Sequence, residues 1–150
     1  MALKNGIDLV LELPVFYSNQ SAEVFALGSI SILNAVKASC VVFGSENGSI
    51  EEILKIAELQ ESRKNELDEK IREYMDKGVS YPNAVNDAFC EITGMNNCFT
   101  PNNILGIEYV KAIKKIKSAI IPMTIKRFKA GYHSIDIYGN IASATAVRKM

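Results

Sequence analysis

One histidine, three cysteines and no Cys-x-x-Cys spacing leave this 150-residue chain without the donor set of a zinc site. The odd cysteine count (Cys40, Cys90, Cys98) fits a reducing compartment, the cytoplasm, better than a disulfide framework. No apolar run approaches the ~20 residues of a membrane span. The opening Met-Ala-Leu-Lys-Asn-Gly-Ile-Asp lacks the basic-then-apolar order of a secretory signal. Internal repeats, low-complexity tracts, a P-loop and a G-x-G-x-x-G fingerprint are also missing. What is present has the balance of a soluble globular domain: 48% hydrophobic and 23% charged residues, in a length that can bury a real core.

A net charge of zero hides an asymmetry. Residues 1–45 carry two bases and three acids, residues 46–110 carry six and thirteen, and residues 111–150 carry nine bases against Asp136 alone. A basic end on a neutral chain is the footprint expected for a polyanion, either nucleotide phosphates or nucleic acid. For Lys111, Lys114, Lys115 and Lys117 a solvated helix face is the simpler account.

Taken in order, Ile7 to Leu13 reads as a strand stopped by Pro14, and Ser21 as the cap of a largely buried helix reaching about Lys37. Cys40-Val41-Val42-Phe43 has the continuous apolarity of a buried parallel strand and ends in Gly44-Ser45-Glu46-Asn47-Gly48. Glycine beyond a strand end lets backbone approach a nucleotide; a plain turn, with Ser49 capping the next helix, explains it too. Ile50 to Lys77 reads as one or two charge-laced helices with an attractive Glu66–Lys70 pair, stopped by Gly78. Tyr81-Pro82 opens another helix that Gly94 ends. Thr100-Pro101 opens the next, whose first turn holds Asn102 and Asn103. Their amides suit an adenine edge or a ribose, or local turn bonds. Ala119 to Ile125 is strand-like and leads to Arg127, placed for phosphate or for solvent. His133 has no partner at a recognisable spacing and is read as structural.

The most distinctive stretch is the last: Gly139-Asn140-Ile141-Ala142-Ser143-Ala144-Thr145-Ala146-Val147-Arg148-Lys149. Ser143 is a natural helix cap, and no acid occupies the first turn to compete for its positive end. Thr145 and Arg148 share a face three residues apart. A hydroxyl, free helix N–H groups and a guanidinium make a phosphate seat. An ordinary surface helix is the competing account. The alternation of strands and helices specifies an α/β fold with a parallel sheet.

Four blocks now converge. Asp8-Leu9-Val10-Leu11-Glu12-Leu13-Pro14, Phe43-Gly44-Ser45-Glu46-Asn47, Pro101-Asn102-Asn103-Ile104-Leu105-Gly106 and Ile141-Ala142-Ser143-Ala144-Thr145-Ala146-Val147-Arg148 resemble, in order, the bacterial tRNA(Met) cytidine acetate ligases of the HIGH-type nucleotidyltransferase superfamily. The resemblance covers essentially the whole chain. It implies a Rossmann-like parallel sheet, incomplete here, in one partial nucleotide-binding domain over 1–150 with a helical insertion at about 49–94. It implies an enzyme that uses ATP, with Mg2+, to activate acetate as acetyl-adenylate and acetylates the wobble cytidine of elongator tRNA(Met). Gly44, Asn102 (or Asn103, one register away) and Arg127 correspond to ATP-binding positions, and Ser143, Thr145 and Arg148 to a phosphate-binding motif.

One departure is large. The family's H-x-G-H-like loop, which stabilises charge on the transferring phosphoryl group, has no counterpart, so no catalytic residue is assigned. The resemblance therefore casts the chain as a fragment without the first strand and half the ATP site, expected not to form acetyl-adenylate alone. Two other readings stand beside it. An adenylyltransferase for a small phosphate ester differs in the acceptor it adenylates. A non-catalytic tRNA-binding module would bind tRNA with steep salt dependence and no ATP affinity. Oligomeric state is left open.

Overall fold

A computed structural model of the chain describes residues 3–96, 98–127 and the backbone of two short strands at 137–138 and 141–142. After a single 3-10 turn at Leu3–Asn5, the elements are α1 (Val15–Ser18), α2 (Ala22–Ala35), β1 (Cys40–Ser45), α3 (Ile50–Ser62), α4 (Lys64–Asp76), α5 (Tyr81–Thr93), α6 (Pro101–Lys115), β2 (Ile121–Lys126), β3 (Ile137–Tyr138) and β4 (Ile141–Ala142). β1 and β2 pair in parallel, Cys40 opposite Ile121 through Ser45 opposite Lys126. β3 and β4 form a small antiparallel ladder. The α/β alternation with a parallel pair is as expected.

Side chains alternate across β1 and β2. Phe43 and Ser45 point into the protein, while Val42, Ile121, Met123 and Ile125 are exposed on the other face. The inner face is covered by α6, which itself packs on α2 and α3. One core cluster joins Phe43 to Ile53, Ile56, Phe89, Ile107 and Val110. A second joins α2 to α6 through Ala26, Ile30, Ala112 and Ile113. Close approach is set by glycine. A Cβ on Gly106 of α6 would stand 2.5 Å from Phe43 Cε2, and one on Gly28 of α2 would stand 2.3 Å from the Tyr17 ring.

Local chemistry sets the helix ends. Ser49 accepts the Glu52 N–H at 3.2 Å, and Thr100 accepts that of Asn103 at 3.4 Å. Pro82 and Pro101 stand in the first turns of their helices. Gly94 closes α5 at φ +71°. The region from 50 to 76 is two helices, broken at Arg63.

Three expectations fail. Ile7 to Leu13 forms no strand: the segment is irregular and Ile7, Leu9, Val10 and Leu11 are exposed. Apolar alternation specifies a strand only where a ladder partner satisfies the backbone, and no described strand runs beside it. The α2 helix ends at Ala35, without a side-chain cap bond from Ser21, and buries only Ala26, Gly28 and Ile30 fully. Its other apolar residues flank α6 and leave Val36 in solvent. Lys70 does not pair with Glu66; its ammonium lies 2.9 Å from both Glu73 and Glu91, because α5 brings a better-placed acid alongside α4.

Candidate functional site

The parallel register brings the ends of β1 and β2 to one edge, so Gly44, Ser45 and Glu46 leave the sheet beside Lys126 and Arg127. Arg127 N–H donates to Ser45 O at 3.0 Å, carrying the ladder one residue past the strands. The Arg127 side chain then runs across Gly44, its Cγ 3.2 Å from where a Cβ on that glycine would sit. The start of α6 approaches from the other side. Buried Asn103 accepts the Glu46 N–H through Oδ1 at 3.2 Å. Asn102, half exposed, donates from Nδ2 to Glu46 Oε1 at 2.8 Å. Arg127 Nη1 stands 3.8 Å from the same oxygen.

Three residues singled out from sequence, Gly44, Asn102 and Arg127, therefore meet at the carboxyl ends of the parallel pair. That is where open α/β sheets bind ligands. They enclose one acid that sequence reasoning quoted without giving it a role, Glu46. Its position beside Arg127 depends on strand register, and no local signal in the sequence carries that. The two asparagines also separate: Asn103 spends its side chain inside the protein, and Asn102 presents its amide.

Beneath these groups lies a rigid polar layer. Ser45, fully buried, accepts the Gly48 N–H at 3.0 Å and shares a 2.8 Å hydrogen bond with the Thr124 hydroxyl, which itself donates to Phe43 O at 2.9 Å. Gly48 holds φ +76° and packs on the Lys126 backbone, where a Cβ would come within 3.0 Å of the Lys126 nitrogen. Only glycine fits that turn. Next to Gly44 and Asn102, a cavity of about 180 Å³ opens between β1, α2 and α6, lined by Leu33, Val42, Leu105 and Tyr109 among others. Burial pushes the Tyr109 phenol above its ordinary pKa, so it stays protonated at neutral pH.

Two groups of opposite charge, Glu46 and Arg127, meet at this edge. Arg127 Nη1 is buried and makes no hydrogen bond, a guanidinium donor without an acceptor. Its ion pair with Glu46 is loose and partly solvated, worth about 0–1 kcal/mol. The lysines of α6 differ: Lys111 lies 2.7 Å from Glu108, Lys114 3.4 Å from Glu61 and Lys115 3.5 Å from Glu23. Their charge is answered within the chain. Ser143, Thr145 and Arg148, with His133, lie outside the described residues; β4 ends one residue before Ser143. Among the described residues no three His, Cys, Asp or Glu side chains gather to hold a cation, and no helix is long and apolar enough to cross a membrane.

Comparison with known proteins finds relatives along nearly the whole chain. The chain is 45% identical over 154 residues to the tRNA(Met) cytidine acetate ligase of Caldanaerobacter subterraneus subsp. tengcongensis, covering 99% of the chain and 38% of that relative. It is 43% identical to the Bacillus subtilis protein of the same name, covering 99% and 37%. The crystal structure of apo Thermotoga maritima TmcAL superposes with a TM-score of 0.85 at 37% identity, covering 99% of this chain and 37% of that one. Thermotoga maritima TmcAL bound with alpha-thio ATP gives 0.79 at 36% identity, covering 99% and 36%. The chain thus spans less than two-fifths of the length of these relatives. The fold is that of part of a TmcAL-type nucleotidyltransferase. Because the HIGH nucleotidyl transferase family model matches residues 1–150 throughout, the chain belongs to that family.

Proposed function

We propose that this chain is the nucleotide-binding part of an ATP-dependent ligase that forms acetyl-adenylate and acetylates the wobble cytidine of elongator tRNA(Met) to N4-acetylcytidine. The observation that carries the reading is the meeting of Gly44, Asn102 and Arg127 around one edge of the parallel pair. In it, Gly44 lets the nucleotide approach the backbone, and Asn102 reads the base edge or sugar. Arg127 directs its unpartnered nitrogen at phosphate, with Ser143, Thr145 and Arg148 holding the rest of the triphosphate. The cavity beside Gly44 is smaller than the roughly 300–1,000 Å³ of a complete small-molecule site, so it takes one part of the nucleotide, the base.

Residues from about 49 to 94 serve as a helical insertion within the partial nucleotide-binding domain over 1–150. Mg2+ comes with the triphosphate, as its preference for water and substrate phosphates allows; among the described residues no cluster of acids gathers to hold it. Acetate is the acid activated, and the compartment is the cytoplasm, consistent with cysteines that are all free. A tRNA-binding module without a nucleotide site is the weaker reading, because the α6 lysines it needs are already paired with Glu108, Glu61 and Glu23.

Calorimetric titration of the chain with ATP tests the nucleotide site. Arg127→Ala should weaken binding about tenfold or more, the usual loss for a charged hydrogen bond; unchanged affinity would remove Arg127 from the site. The ligase reading is tested by replacing the corresponding residues of the Thermotoga maritima protein with this chain. Acetate-dependent formation of N4-acetylcytidine on elongator tRNA(Met) supports it. A chimera that binds ATP yet adenylates only a small phosphate ester would overturn it.

A further inference from the structure

We infer that Glu46 reads the sugar of the bound nucleotide, its carboxylate accepting the 2′- and 3′-hydroxyls. The inference rests on the reading that a nucleotide binds between Asn102 and Arg127. In any nucleotide the sugar stands between base and phosphate, and here one side chain stands between the group suited to a base edge and the group suited to phosphate. That side chain is Glu46, 2.8 Å from the Asn102 amide and 3.8 Å from the Arg127 guanidinium.

The donor and acceptor inventory selects the hydroxyls. Guanidinium only donates, and Asn102 already directs an N–H at Glu46, which leaves its oxygen for a base amine. A sugar diol brings two O–H donors, and the acceptor capacity beside them belongs to Glu46. Its Oε1 takes one hydrogen bond, and its Oε2 takes none from any described residue. A carboxylate offers about four lone-pair positions, so room remains for two hydroxyls. The group is also held in place: the Glu46 N–H is fixed by buried Asn103, and the preceding Ser45 is locked to Thr124 and Gly48. Arg127 lies close enough to offset the repulsion between this carboxylate and the nearest phosphate.

The test compares ATP, 2′-deoxy-ATP and 3′-deoxy-ATP by calorimetric titration of the wild-type chain, Glu46→Ala and Glu46→Gln. Wild type should lose about tenfold in affinity for each missing hydroxyl, the usual scale for a hydrogen bond to a charged acceptor. Glu46→Ala should bind all three within about twofold of one another, and Glu46→Gln, which keeps an acceptor oxygen without the charge, should fall between. Because the readout is a ratio within one variant, a general loss of folding or affinity does not imitate it. If Glu46→Ala does not fold, a Glu46→Gln ratio equal to wild type overturns the inference. So does a wild type indifferent to the hydroxyls, or a Glu46→Ala variant that keeps full discrimination. Tighter ATP binding by Glu46→Ala would make the carboxylate a competitor of phosphate for Arg127 and overturn it as well. A wild-type sequence that binds no ATP either alone or within the Thermotoga maritima chimera would sink the nucleotide reading itself and the inference with it.

Discussion

Gly106→Ala puts two well-calibrated effects in opposition. Alanine inside a helix is favoured over glycine by about 1 kcal/mol, so on propensity alone the variant is more stable. At Gly106, however, the new Cβ would stand 2.5 Å from Phe43 Cε2, 3.0 Å from Cδ2 and 3.3 Å from Cζ. Non-bonded carbons settle about 3.5–4.0 Å apart, so ring or helix must move by about 1 Å. The ring has little room: Phe43 is 9% exposed and lies against Tyr109, centroids 5.7 Å apart. Overpacking of this kind costs about 1–3 kcal/mol, which exceeds the propensity gain. With approaches this short the upper half of that range applies, so we expect a net loss of about 1–2 kcal/mol by urea unfolding at 25 °C, with the midpoint of thermal unfolding lower by roughly 2–8 °C. A shift of α6 also stretches the 3.2 Å bond from Glu46 N–H to Asn103, so under the proposed nucleotide reading ATP affinity should fall with stability. Pairing Gly106→Ala with Phe43→Leu should return part of the loss, since the two sites are in contact. A Gly106→Ala protein as stable as wild type, or more so, would refute the claim that contact with Phe43 sets the seat of α6.

Three further outcomes follow from single groups. Ser45→Ala should cost about 1–3 kcal/mol in urea unfolding, because the part-buried Gly48 N–H loses its acceptor and the Thr124 hydroxyl keeps only Phe43 O; Ser45→Ala with Thr124→Val should cost less than the sum. Thr100→Ala should cost about 0.5–2 kcal/mol through the lost cap of α6, measured the same way, and Thr100→Ser should restore most of it. The Glu91 carboxyl is held below its ordinary range, first by the hydrogen bond from Lys70 and then by that from the Tyr74 hydroxyl. A depressed carboxyl contributes stability above its unfolded pKa and loses it as pH falls through the folded value. The advantage of wild type over Glu91→Gln in thermal unfolding should thus be present at pH 7, shrink as pH falls below the ordinary carboxylate range and shrink in high salt, and a gap unchanged by acidification would show the contact to be inert.

The legible parts of this fold are those whose physics is local. Helix starts at Ser49, Thr100 and Tyr81-Pro82 and stops at Gly78 and Gly94 follow from caps, proline placement and left-handed backbone, which need no distant partner. β1 and β2 were readable as short apolar runs. What was not readable depends on neighbours. Ile7 to Leu13 has a strand's composition, yet whether it becomes one depends on a partner edge. The burial of α2 depends on which stripe α6 covers, and the ion-pair choice of Lys70 on where α5 lies. In the site, the types and order of Gly44, Asn102 and Arg127 suggested nucleotide chemistry. That the three meet at Glu46 rests on a parallel register in which Ser45 faces Lys126, and one residue of slippage would point Arg127 elsewhere.

The same register explains why the site is built from adjacent residues with opposite duties. Ser45 and Asn103 are buried and spend their polar atoms on Gly48, Thr124 and the Glu46 backbone. Their chain neighbours Glu46 and Asn102 are left at the surface, joined by one 2.8 Å hydrogen bond. A polar side chain is reliable for recognition only if its backbone cannot drift, and buried hydrogen bonds supply that restraint better than exposed ones, which exchange with water at little cost. Arg127 is tied the same way, through its own N–H to Ser45 O, while its guanidinium Nη1 makes no hydrogen bond and only the loose ion pair with Glu46. Asn102, Glu46 and Arg127 are therefore each anchored within one residue of a buried or ladder hydrogen bond. Loosening the buried member of a pair should accordingly weaken nucleotide binding even where it leaves every presented side chain in place.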